Sequence, residues 1–349
     1  MSDNRIRTSV RGMRGYVPGE QTRDPKILKL NTNENPYPPS PLVGKVLCDL
    51  SADSLRLYPD PICRDLREML AGLHGCSPDQ ILVGNGSDEV LALCLRAFVE
   101  RDADVGFFTP SYSLYPVLAA IEDLSTYEVP LTPDFGWVDP DSQRASLFFI
   151  TNPNAPTSLQ FHRNEVEAFC RKASGVVVLD EAYVDFAPEH GMDLALTLPN
   201  VVVTRSLSKS YSLAGIRLGY VVGPQPLIEA MYKIKDSYNV NGLSQMVAQA
   251  AVQDRTYFTA MLDQVLATRE RVTASLQAME FQVAKSATNF LWVRPRGLPS
   301  VELFERLREA DILTRYFPGT VTGDHLRITV GTDAQMDRLL DVVQTIVAK

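Results

Sequence analysis

Short apolar runs that alternate with helical patterns constrain the fold of this chain more than any other feature. Six runs are rich in β-branched or aromatic residues and are bounded by turn residues; they cover residues 81–83, 105–108, 147–150, 176–179, 201–203 and 220–222. Several show no polar alternation, as expected of strands buried on both faces of a mainly parallel sheet. Helical patterns lie between them, over 88–100 and 164–173 for example. This alternation predicts a layered α/β domain.

The rest of the chain predicts an N-terminal arm and a second, smaller α+β unit. Residues 1–30 lack periodicity and residues 31–41 are rich in Asn and Pro, which is typical of an extended arm. Residues 226–280 have a helical pattern with few breakers. Two strand–helix pairs are predicted after them, at 290–293, 301–310, 326–330 and 333–347. We therefore expect an arm over residues 1–34, a large domain over 35–250 and a small domain over 251–349.

Composition excludes several classes of protein. With 45% hydrophobic and 22% charged residues, the 349-residue chain has the composition of an ordinary globular protein with a sizeable core. Its net charge of −8 argues against nucleic acid and anionic membranes as partners. The N-terminus lacks the apolar segment of a secretory signal, and no apolar run approaches the roughly 20 residues of a membrane span. We expect a soluble, cytoplasmic protein.

Cysteine and histidine give no sign of a disulfide framework or a metal site. The five cysteines are an odd number and are scattered without a CxxC pair. The four histidines are equally scattered, and no two of them have the spacing of metal ligands. Neither a zinc site nor a set of disulfides is therefore expected.

Polar residues follow five of the predicted strands at the point where each strand ends. These segments are Gly84–Ser87, Pro110–Tyr112, Asn152–Asn154, Asp180–Tyr183 and Ser206–Lys209. In open α/β sheets, ligands bind outside the carboxyl ends of the strands. The coincidence of five polar strand ends predicts one ligand site at that edge of the sheet.

The segment around Lys209 indicates what the ligand is. Lys209 follows the apolar run 201–203 and lies among hydroxyl side chains, and Arg217 comes eight residues later. A lysine amine becomes a nucleophile when it is desolvated or placed near other cations, which lower its pKa. Ser206, Ser208 and Arg217 suit an anionic phosphate. The set predicts a Schiff base with a phosphorylated aldehyde, pyridoxal phosphate, although a lysine in a serine-rich turn alone is also compatible with a solvated loop.

Other strand ends offer partners for the cofactor ring. Asp180 ends a run of four aliphatic residues, where an unpaired acid near the low-dielectric interior is costly. The protonated pyridine nitrogen of the cofactor would pair with this carboxylate, which would also keep the cofactor ring an electron sink. The alternative is an ion pair between Asp180 and an unidentified arginine. Tyr183 and Asn154 would donate hydrogen bonds to the ring oxygen, and Tyr112 would stack on the ring.

The segment Gly84-Asn85-Gly86-Ser87-Asp88-Glu89 joins a strand to a helix. We expect Ser87 to be the N-cap, with Asp88 and Glu89 in the first turn. The glycines let the backbone approach a ligand, and the free N–H groups at the start of the helix bind phosphate. A plain capped helix has the same sequence pattern, so this segment carries weight only together with the others.

Taken in order, the motifs resemble those of the fold-type I, pyridoxal phosphate-dependent aminotransferases. The resemblance runs from about residue 16 to 331, and within the family it is greatest to the branch that takes histidinol phosphate as amino donor. It implies a three-layer α/β/α large domain with a mainly parallel sheet plus a smaller α+β domain. The segments that carry it are Asn31–Pro36, Tyr58–Asp60, Gly86–Glu89, Thr151–Thr157, Asp180–Tyr183, Ser206–Lys209 and Leu326–Gly331.

The resemblance also implies roles for individual residues. Lys209 would be the Schiff-base lysine, and Lys209, Asp180 and Tyr183 would be the catalytic residues. Cofactor-binding residues would be Ser87, Asp88, Tyr112, Asn154, Asp180, Tyr183, Ser206, Ser208, Lys209 and Arg217, with Tyr58 reaching the cofactor phosphate from the partner subunit of a homodimer. Substrate-binding residues would be Tyr16, Asn33, Arg315 and Arg327, and Arg327 would hold the carboxylate of the glutamate co-substrate.

One departure from the family pattern and several alternative activities remain. The family usually has glycine where this chain has Ser158, and serine adopts a positive φ less readily if the position requires one. The expected reaction transfers the amino group of histidinol phosphate to 2-oxoglutarate. The same architecture serves aromatic amino-acid aminotransferases and threonine-phosphate decarboxylases. A non-catalytic pyridoxal phosphate sensor is disfavoured, because Lys209 is present and no DNA-binding extension is.

Overall fold

The computed structural model describes residues 5–348, which form twelve α-helices and thirteen β-strands together with short 3-10 helices. The helices are α1 (Thr8–Gly12), α2 (Pro41–Asp49), α3 (Arg64–His74), α4 (Ser87–Phe98), α5 (Tyr115–Ile121), α6 (Arg163–Lys172), α7 (Met192–Thr197), α8 (Gln225–Tyr232), α9 (Gly242–Gln253), α10 (Arg255–Ala278), α11 (Ser300–Glu309) and α12 (Asp333–Val347). The strands are β1 (Leu28–Lys29), β2 (Ile81–Gly84), β3 (Asp104–Thr109), β4 (Ser125–Pro130), β5 (Leu147–Thr151), β6 (Val176–Asp180), β7 (Val201–Ser206), β8 (Gly219–Val222), β9 (Gln282–Val283), β10 (Phe290–Arg294), β11 (Ile312–Leu313), β12 (Arg315–Tyr316) and β13 (Leu326–Thr329).

A seven-stranded sheet is the centre of the larger part of the molecule. Its strand order is β2-β8-β7-β6-β5-β3-β4, and β8 runs antiparallel to both of its neighbours while the other pairs are parallel. Parallel neighbours require crossover connections, and helices such as α5, α6 and α7 lie in those connections. The carboxyl ends of the parallel strands therefore meet at one edge, where Gly84, Thr109, Thr151, Asp180 and Ser206 lie.

Both faces of this sheet are covered, which explains why its strands lack polar alternation. Successive side chains of a strand point to opposite faces. In β6, Leu179 packs into the core on one face and Val178 into the core on the other. In β7, Val203 and Val202 divide in the same way. The predicted α/β/α layering with a mainly parallel sheet is confirmed.

A four-stranded antiparallel sheet, in the order β12-β13-β10-β9, is the centre of the smaller unit. Apolar residues of α10, α11 and α12 pack on it, among them Val272, Leu303 and Leu339. Strand β1 pairs in parallel with β11, and Leu28 and Leu30 are buried in the same core. This part of the arm is therefore packed against the smaller unit, while the boundaries predicted near residues 35 and 250 stay a prediction.

All six apolar runs are strands, but two details differ from the sequence prediction. Strand β4 is not predicted, because it lies at the edge of the sheet and most of its side chains are exposed. The helical stretch 226–280 is divided into α8, α9 and α10, with a non-helical connection between Tyr232 and Gly242. Among residues 5–348, no helix is both long and apolar enough to cross a membrane.

Candidate active site

A cavity lies at the carboxyl edge of the large sheet and reaches the sheet of the smaller unit. All but two of the predicted site residues line it: Tyr16, Asn33, Ser87, Asp88, Tyr112, Asp180, Tyr183, Ser206, Ser208, Lys209, Arg217, Arg315 and Arg327. Because these residues come from the arm, from four strand ends, from the turn before β8 and from β12 and β13, the site exists only in the folded chain.

Lys209 lies in the turn after β7 with its amine facing the cavity. Lys209 Nζ donates a hydrogen bond to the carbonyl oxygen of Thr32 at 3.3 Å and lies 5.7 Å from the centroid of the Tyr183 ring. The turn is fixed from the arm, because Asn35 Nδ2 donates to the carbonyl oxygens of Lys209 at 3.0 Å and Ser210 at 3.3 Å. A fixed backbone and a weakly engaged amine leave Lys209 available to react.

Asp180 is a buried carboxylate that the described residues leave without a cation. The hydroxyl of Tyr115 donates to its Oδ2 at 2.7 Å, and Thr204 Oγ1 and the backbone N–H of Ala182 donate to its Oδ1 at 3.3 Å. Burial nevertheless raises the pKa of Asp180 to about 6, because these hydrogen bonds offset only part of the desolvation of the charged form. No arginine among residues 5–348 forms an ion pair with Asp180, so the alternative partner that the sequence left open is not found there.

The N-terminus of α4 forms a cradle at one end of the cavity. Gly86, with φ of 87°, precedes the helix, and Ser87 is its first residue, so the prediction that Ser87 is the N-cap is wrong. A Cβ on Gly86 would lie 2.6 Å from the guanidinium of Arg217, and one on Gly219 would lie 2.4 Å from the backbone nitrogen of Ser87. Only glycine allows the chain at Gly86 and Gly219 to approach Arg217 and the start of α4 this closely.

Side chains around the cradle supply further donors. Arg217 donates to Asp88 Oδ2 at 3.1 Å, and the backbone N–H of Ser208 donates to Ser206 Oγ at 3.2 Å. Ser206 and Ser208 are buried beside the cavity. Two hydroxyls, one guanidinium and a helix N-terminus therefore face the same space, an arrangement that favours a phosphate group.

Two tyrosines border the middle of the cavity. Tyr112 donates to Asp88 Oδ1 at 3.1 Å, and burial together with this carboxylate raises the pKa of Tyr112 far above its usual value. Tyr183 accepts a hydrogen bond from Asn33 Nδ2 at 2.9 Å, which leaves its own hydroxyl proton free to be donated. Asn33 is held in turn by Thr329 of β13, whose Oγ1 accepts from the Asn33 backbone N–H at 3.0 Å.

Asn154 is fully buried and does not line the cavity. Its Nδ2 donates to the carbonyl oxygen of Pro110 at 3.1 Å and to Thr157 Oγ1 at 2.9 Å, while its Oδ1 has no partner among the described residues. In this arrangement the amide would accept a hydrogen bond from a ligand hydroxyl rather than donate one. Ser158 has φ of 64°, so the position does adopt the left-handed conformation, and the Ser158 N–H still donates to the Asn154 carbonyl oxygen at 2.9 Å.

Arg327 and Arg315 form the other end of the cavity. Arg327 donates to the carbonyl oxygen of Asn31 at 2.9 Å, and its Nε is buried without a partner among residues 5–348. Burial lowers the pKa of Arg327 from its usual value. Arg315 donates to the carbonyl oxygens of Val17 at 3.1 Å and Pro18 at 3.3 Å and so holds the arm across the cavity. Neither guanidinium forms an ion pair with a carboxylate in the described part of the chain.

Tyr16 and Tyr58 occupy different surroundings. Tyr16 is on the arm, and its ring meets the edge of Tyr112 with centroids 6.0 Å apart. Tyr58 is 82% exposed and stacks on Tyr238 at 4.4 Å, away from the cavity of its own chain.

Comparison with known proteins decides the family. The model of the family "Aminotransferase class I and II" matches residues 25–343. The chain belongs to this family. Histidinol-phosphate aminotransferase 1 of Bordetella parapertussis is 44% identical to this aminotransferase over 95% of both chains. Histidinol-phosphate aminotransferase of Microcystis aeruginosa is 40% identical over 97% of this chain and 98% of its own.

A solved structure has the same fold over nearly the whole length. The crystal structure of histidinol-phosphate aminotransferase from Sinorhizobium meliloti, in complex with pyridoxal-5'-phosphate, superposes with a TM-score of 0.89. The two chains are 26% identical, and the match covers 99% of this aminotransferase and 98% of the other chain.

Three observations in this aminotransferase fit pyridoxal phosphate. The cradle at the N-terminus of α4 is surrounded by donors for a phosphate, namely the hydroxyls of Ser206 and Ser208 and the guanidinium of Arg217. The buried carboxylate of Asp180 has no cationic partner among the described residues. The protonated pyridine nitrogen of the cofactor would supply that cation. The unpartnered Oδ1 of Asn154 would accept from a phenolic hydroxyl.

Sequence reasoning missed two residues that position the site. Tyr115, fully buried, donates to Asp180 and stacks on Phe149 with centroids 4.4 Å apart. Phe317 lines the cavity beside Arg315 and Arg327. Tyr115 comes three residues after Tyr112, and Phe317 comes two residues after Arg315. Their spacing from these predicted site residues could have indicated both. Among residues 5–348, no cluster of His, Cys, Asp and Glu could hold a metal ion.

Proposed function

We propose that this aminotransferase transfers the amino group of histidinol phosphate to 2-oxoglutarate, which gives imidazole acetol phosphate and glutamate, with pyridoxal phosphate as cofactor. The observation that supports this most is the pair of arginines at the substrate end of the cavity. Relatives that are 40% and 44% identical over nearly the whole chain carry the name of that activity.

The two arginines suit an anionic donor. Arg315 and Arg327 are directly paired between β12 and β13, and both line the cavity. A phosphate can accept hydrogen bonds from both guanidiniums, and a carboxylate of 2-oxoglutarate can accept a bidentate pair from Arg327. One site can therefore receive both substrates in turn, as an exchange of amino groups requires.

The residues at the cofactor end have separate tasks. Ser87, Ser206, Ser208, Arg217 and the backbone N–H of Asp88 would hold the cofactor phosphate. Asp180 would pair with the ring nitrogen, Tyr183 and Asn154 would bind the ring hydroxyl, and Tyr112 would cover one face of the ring. When bound, the cofactor supplies an aldehyde and an electron-accepting ring, which allow an amino group to be taken from one substrate and given to another.

Lys209 would hold the cofactor between reactions and move the proton. Lys209 Nζ faces the cavity. It would therefore take the proton from the substrate α-carbon and deliver it to the cofactor carbon that carries the transferred nitrogen. Tyr183 would fix the ring by its hydroxyl while Asn33 holds Tyr183. Tyr16, on the arm held by Arg315, would exclude water from the substrate.

The donor is tested by supplying amines one at a time to the cofactor-loaded protein with 2-oxoglutarate and measuring glutamate. We expect kcat/KM for histidinol phosphate to exceed that for phenylalanine by about a hundredfold, since charge-assisted hydrogen bonds to phosphate are each worth about 1.5–3 kcal/mol. Arg315→Gln should reduce kcat/KM for histidinol phosphate more than tenfold, about the cost of one such bond, and leave that for phenylalanine nearly unchanged.

Two results would contradict the donor. A preference for phenylalanine that Arg315→Gln does not alter would indicate an aromatic amino-acid aminotransferase. Release of carbon dioxide from threonine phosphate without glutamate formation would indicate a decarboxylase.

The cytoplasmic location inferred from the sequence stays a prediction.

We further propose that the enzyme acts as a homodimer in which Tyr58 completes the partner's site. Leu55 and Leu57 are 64% and 61% exposed next to Tyr58, and an exposed apolar patch of this kind is typical of an interface. Tyr58 also contacts nothing in the cavity of its own chain.

Hybrid dimers test this arrangement. Chains carrying Tyr58→Ala and Lys209→Ala, each with its own affinity tag, would be co-expressed and the hybrid isolated. One of its two sites then has both native residues, so we expect about half of the wild-type activity from two chains that are each nearly inactive alone. A hybrid no more active than its parents would exclude a shared site.

A further inference from the structure

We propose that Phe317 is a positioning residue that holds Arg315 and Arg327 in place for the substrate anion. This inference rests on the proposed function, in which that anion is the phosphate of the amino donor. It assigns to an uncharged side chain the task of keeping two like charges together while the site is empty of substrate.

The arrangement of the two arginines requires such a support. Arg315 and Arg327 are paired residues on adjacent antiparallel strands, so their side chains leave the same face of the sheet. Like charges directly opposite each other destabilise a strand pair. No carboxylate of the described residues forms an ion pair with either guanidinium, and Arg327 Nε is buried without a partner.

Phe317 is the ring that both guanidiniums share. Arg315 Cζ lies 5.4 Å and Arg327 Cζ 5.2 Å from the centroid of Phe317, within the range of cation–π attraction. Phe317 follows Arg315 by two residues, and alternation along an extended segment places both on one side. The ring itself packs against Trp292, with centroids 6.0 Å apart.

Phe317 differs from the other aromatic neighbour of these arginines. The ring centroid of Phe290 lies 5.2 Å from Arg327 Cζ, but Phe290 has no such contact with Arg315. Phe290 is also fully buried and packs against Tyr183. Phe317 lines the cavity and touches both arginines. Its ring therefore offsets charge repulsion without neutralising either guanidinium, which leaves both free for a substrate anion.

The proposal is tested with Phe317→Leu, which keeps an apolar side chain and removes the aromatic face. In the cofactor-loaded protein, where the other phosphate cradle is filled, inorganic phosphate serves as a probe of the substrate anion site. We expect its inhibition constant and the KM for histidinol phosphate to rise about tenfold, with kcat changed less than about threefold, because loss of cation–π contact weakens ground-state anion binding. Inhibition by histidinol, which lacks the phosphate, should change less than about twofold.

Three controls separate positioning from packing. Phe317→Tyr retains the aromatic face and should restore phosphate affinity. Phe304→Leu is matched in volume and lies by the same strand, where its ring is 5.9 Å from that of Tyr316, so it should leave phosphate affinity unchanged. In the Arg315→Gln background, Phe317→Leu should reduce phosphate affinity less than it does in the wild type, because one of the two guanidiniums that contact Phe317 is already absent.

The proposal would be overturned if Phe317→Leu weakened the binding of histidinol as much as that of phosphate, or if Phe304→Leu weakened phosphate binding as much as Phe317→Leu does. It would also be overturned if the effects of Phe317→Leu and Arg315→Gln on phosphate affinity were fully additive. If the wild type does not convert histidinol phosphate, the proposed function fails, while the inhibition constants for inorganic phosphate still decide the role of Phe317.

Discussion

We expect the Lys209→Ala protein to fold normally and to transfer amino groups at less than about one ten-thousandth of the wild-type rate, since it loses both a nucleophile and a proton carrier. Stability should change little, because Lys209 Nζ has only the Thr32 carbonyl oxygen as acceptor among residues 5–348, and such a hydrogen bond contributes about 1 kcal/mol. Glutamate formation under saturating substrate measures the rate, and denaturant unfolding measures the stability.

The matched control for this variant is Lys233→Ala. Lys233 is an exposed residue at the end of α8, so its replacement removes the same charge without touching the cavity. It should retain full activity. Substantial turnover by the cofactor-loaded Lys209→Ala protein would exclude Lys209 as the reacting amine and, with it, the assignment of the cavity.

Asp180→Asn is expected to reduce kcat by about two to three orders of magnitude, the usual cost of removing one electrostatic group that faces a developing charge. Asparagine has nearly the same shape and can still accept from Tyr115, so the geometry is retained while the negative charge is lost. The measurement is kcat at saturating cofactor and substrate. Activity near that of the wild type would show that the carboxylate has no part in the reaction.

The same variant has an opposite effect on the cofactor-free protein, which makes stability an independent readout. The pKa of Asp180 is raised to about 6 in the fold, against 3.8 for an unperturbed carboxyl. The folded state therefore binds the proton more tightly than the unfolded state, and this group lowers stability as pH rises from about 4 through 6. Above pH 6 the ionised, buried carboxylate costs about 3 kcal/mol by this linkage.

Replacement of Asp180 by asparagine should remove that cost. We expect the cofactor-free variant to have a free energy of unfolding about 3 kcal/mol higher than the wild type at pH 7.5, with the difference fading toward pH 4. Denaturant unfolding of both proteins at several pH values measures it. A difference that is independent of pH would mean that Asp180 is not held as a costly charge in the absence of cofactor.

Local sequence was sufficient for the cofactor end of the site. Apart from Arg217, which precedes β8, the residues that line this end follow strands that the apolar pattern alone identifies. Parallel strands end at a common edge, so Asp180 and Lys209 were predictable as neighbours without coordinates. Edge strand β4 was not predicted, because most of its side chains are exposed and its sequence is not an apolar run. Ser87 lines the cavity as predicted, but the local pattern did not show that Gly86 and not Ser87 is the N-cap of α4.

The substrate end depends on contacts distant in the sequence. Arg315 and Arg327 were predicted from resemblance to a family, since no local pattern distinguishes them from surface arginines. Their pairing across β12 and β13 and their shared contact with Phe317 arise only when the smaller sheet forms. The same is true of Tyr115, whose hydroxyl reaches Asp180 from a position 65 residues away.

The sequence by itself determined the layered α/β fold and predicted the edge at which ligands bind and Lys209 as the amine that reacts there, because periodicity of apolar residues and turn residues acts over short distances. Tertiary structure alone decided which charges are left unpaired. The raised pKa of Asp180, the unneutralised arginines of the smaller sheet and the ring that supports them depend on burial and on partners brought together from distant segments. Desolvation is a property of the packed chain, so no local pattern encodes it.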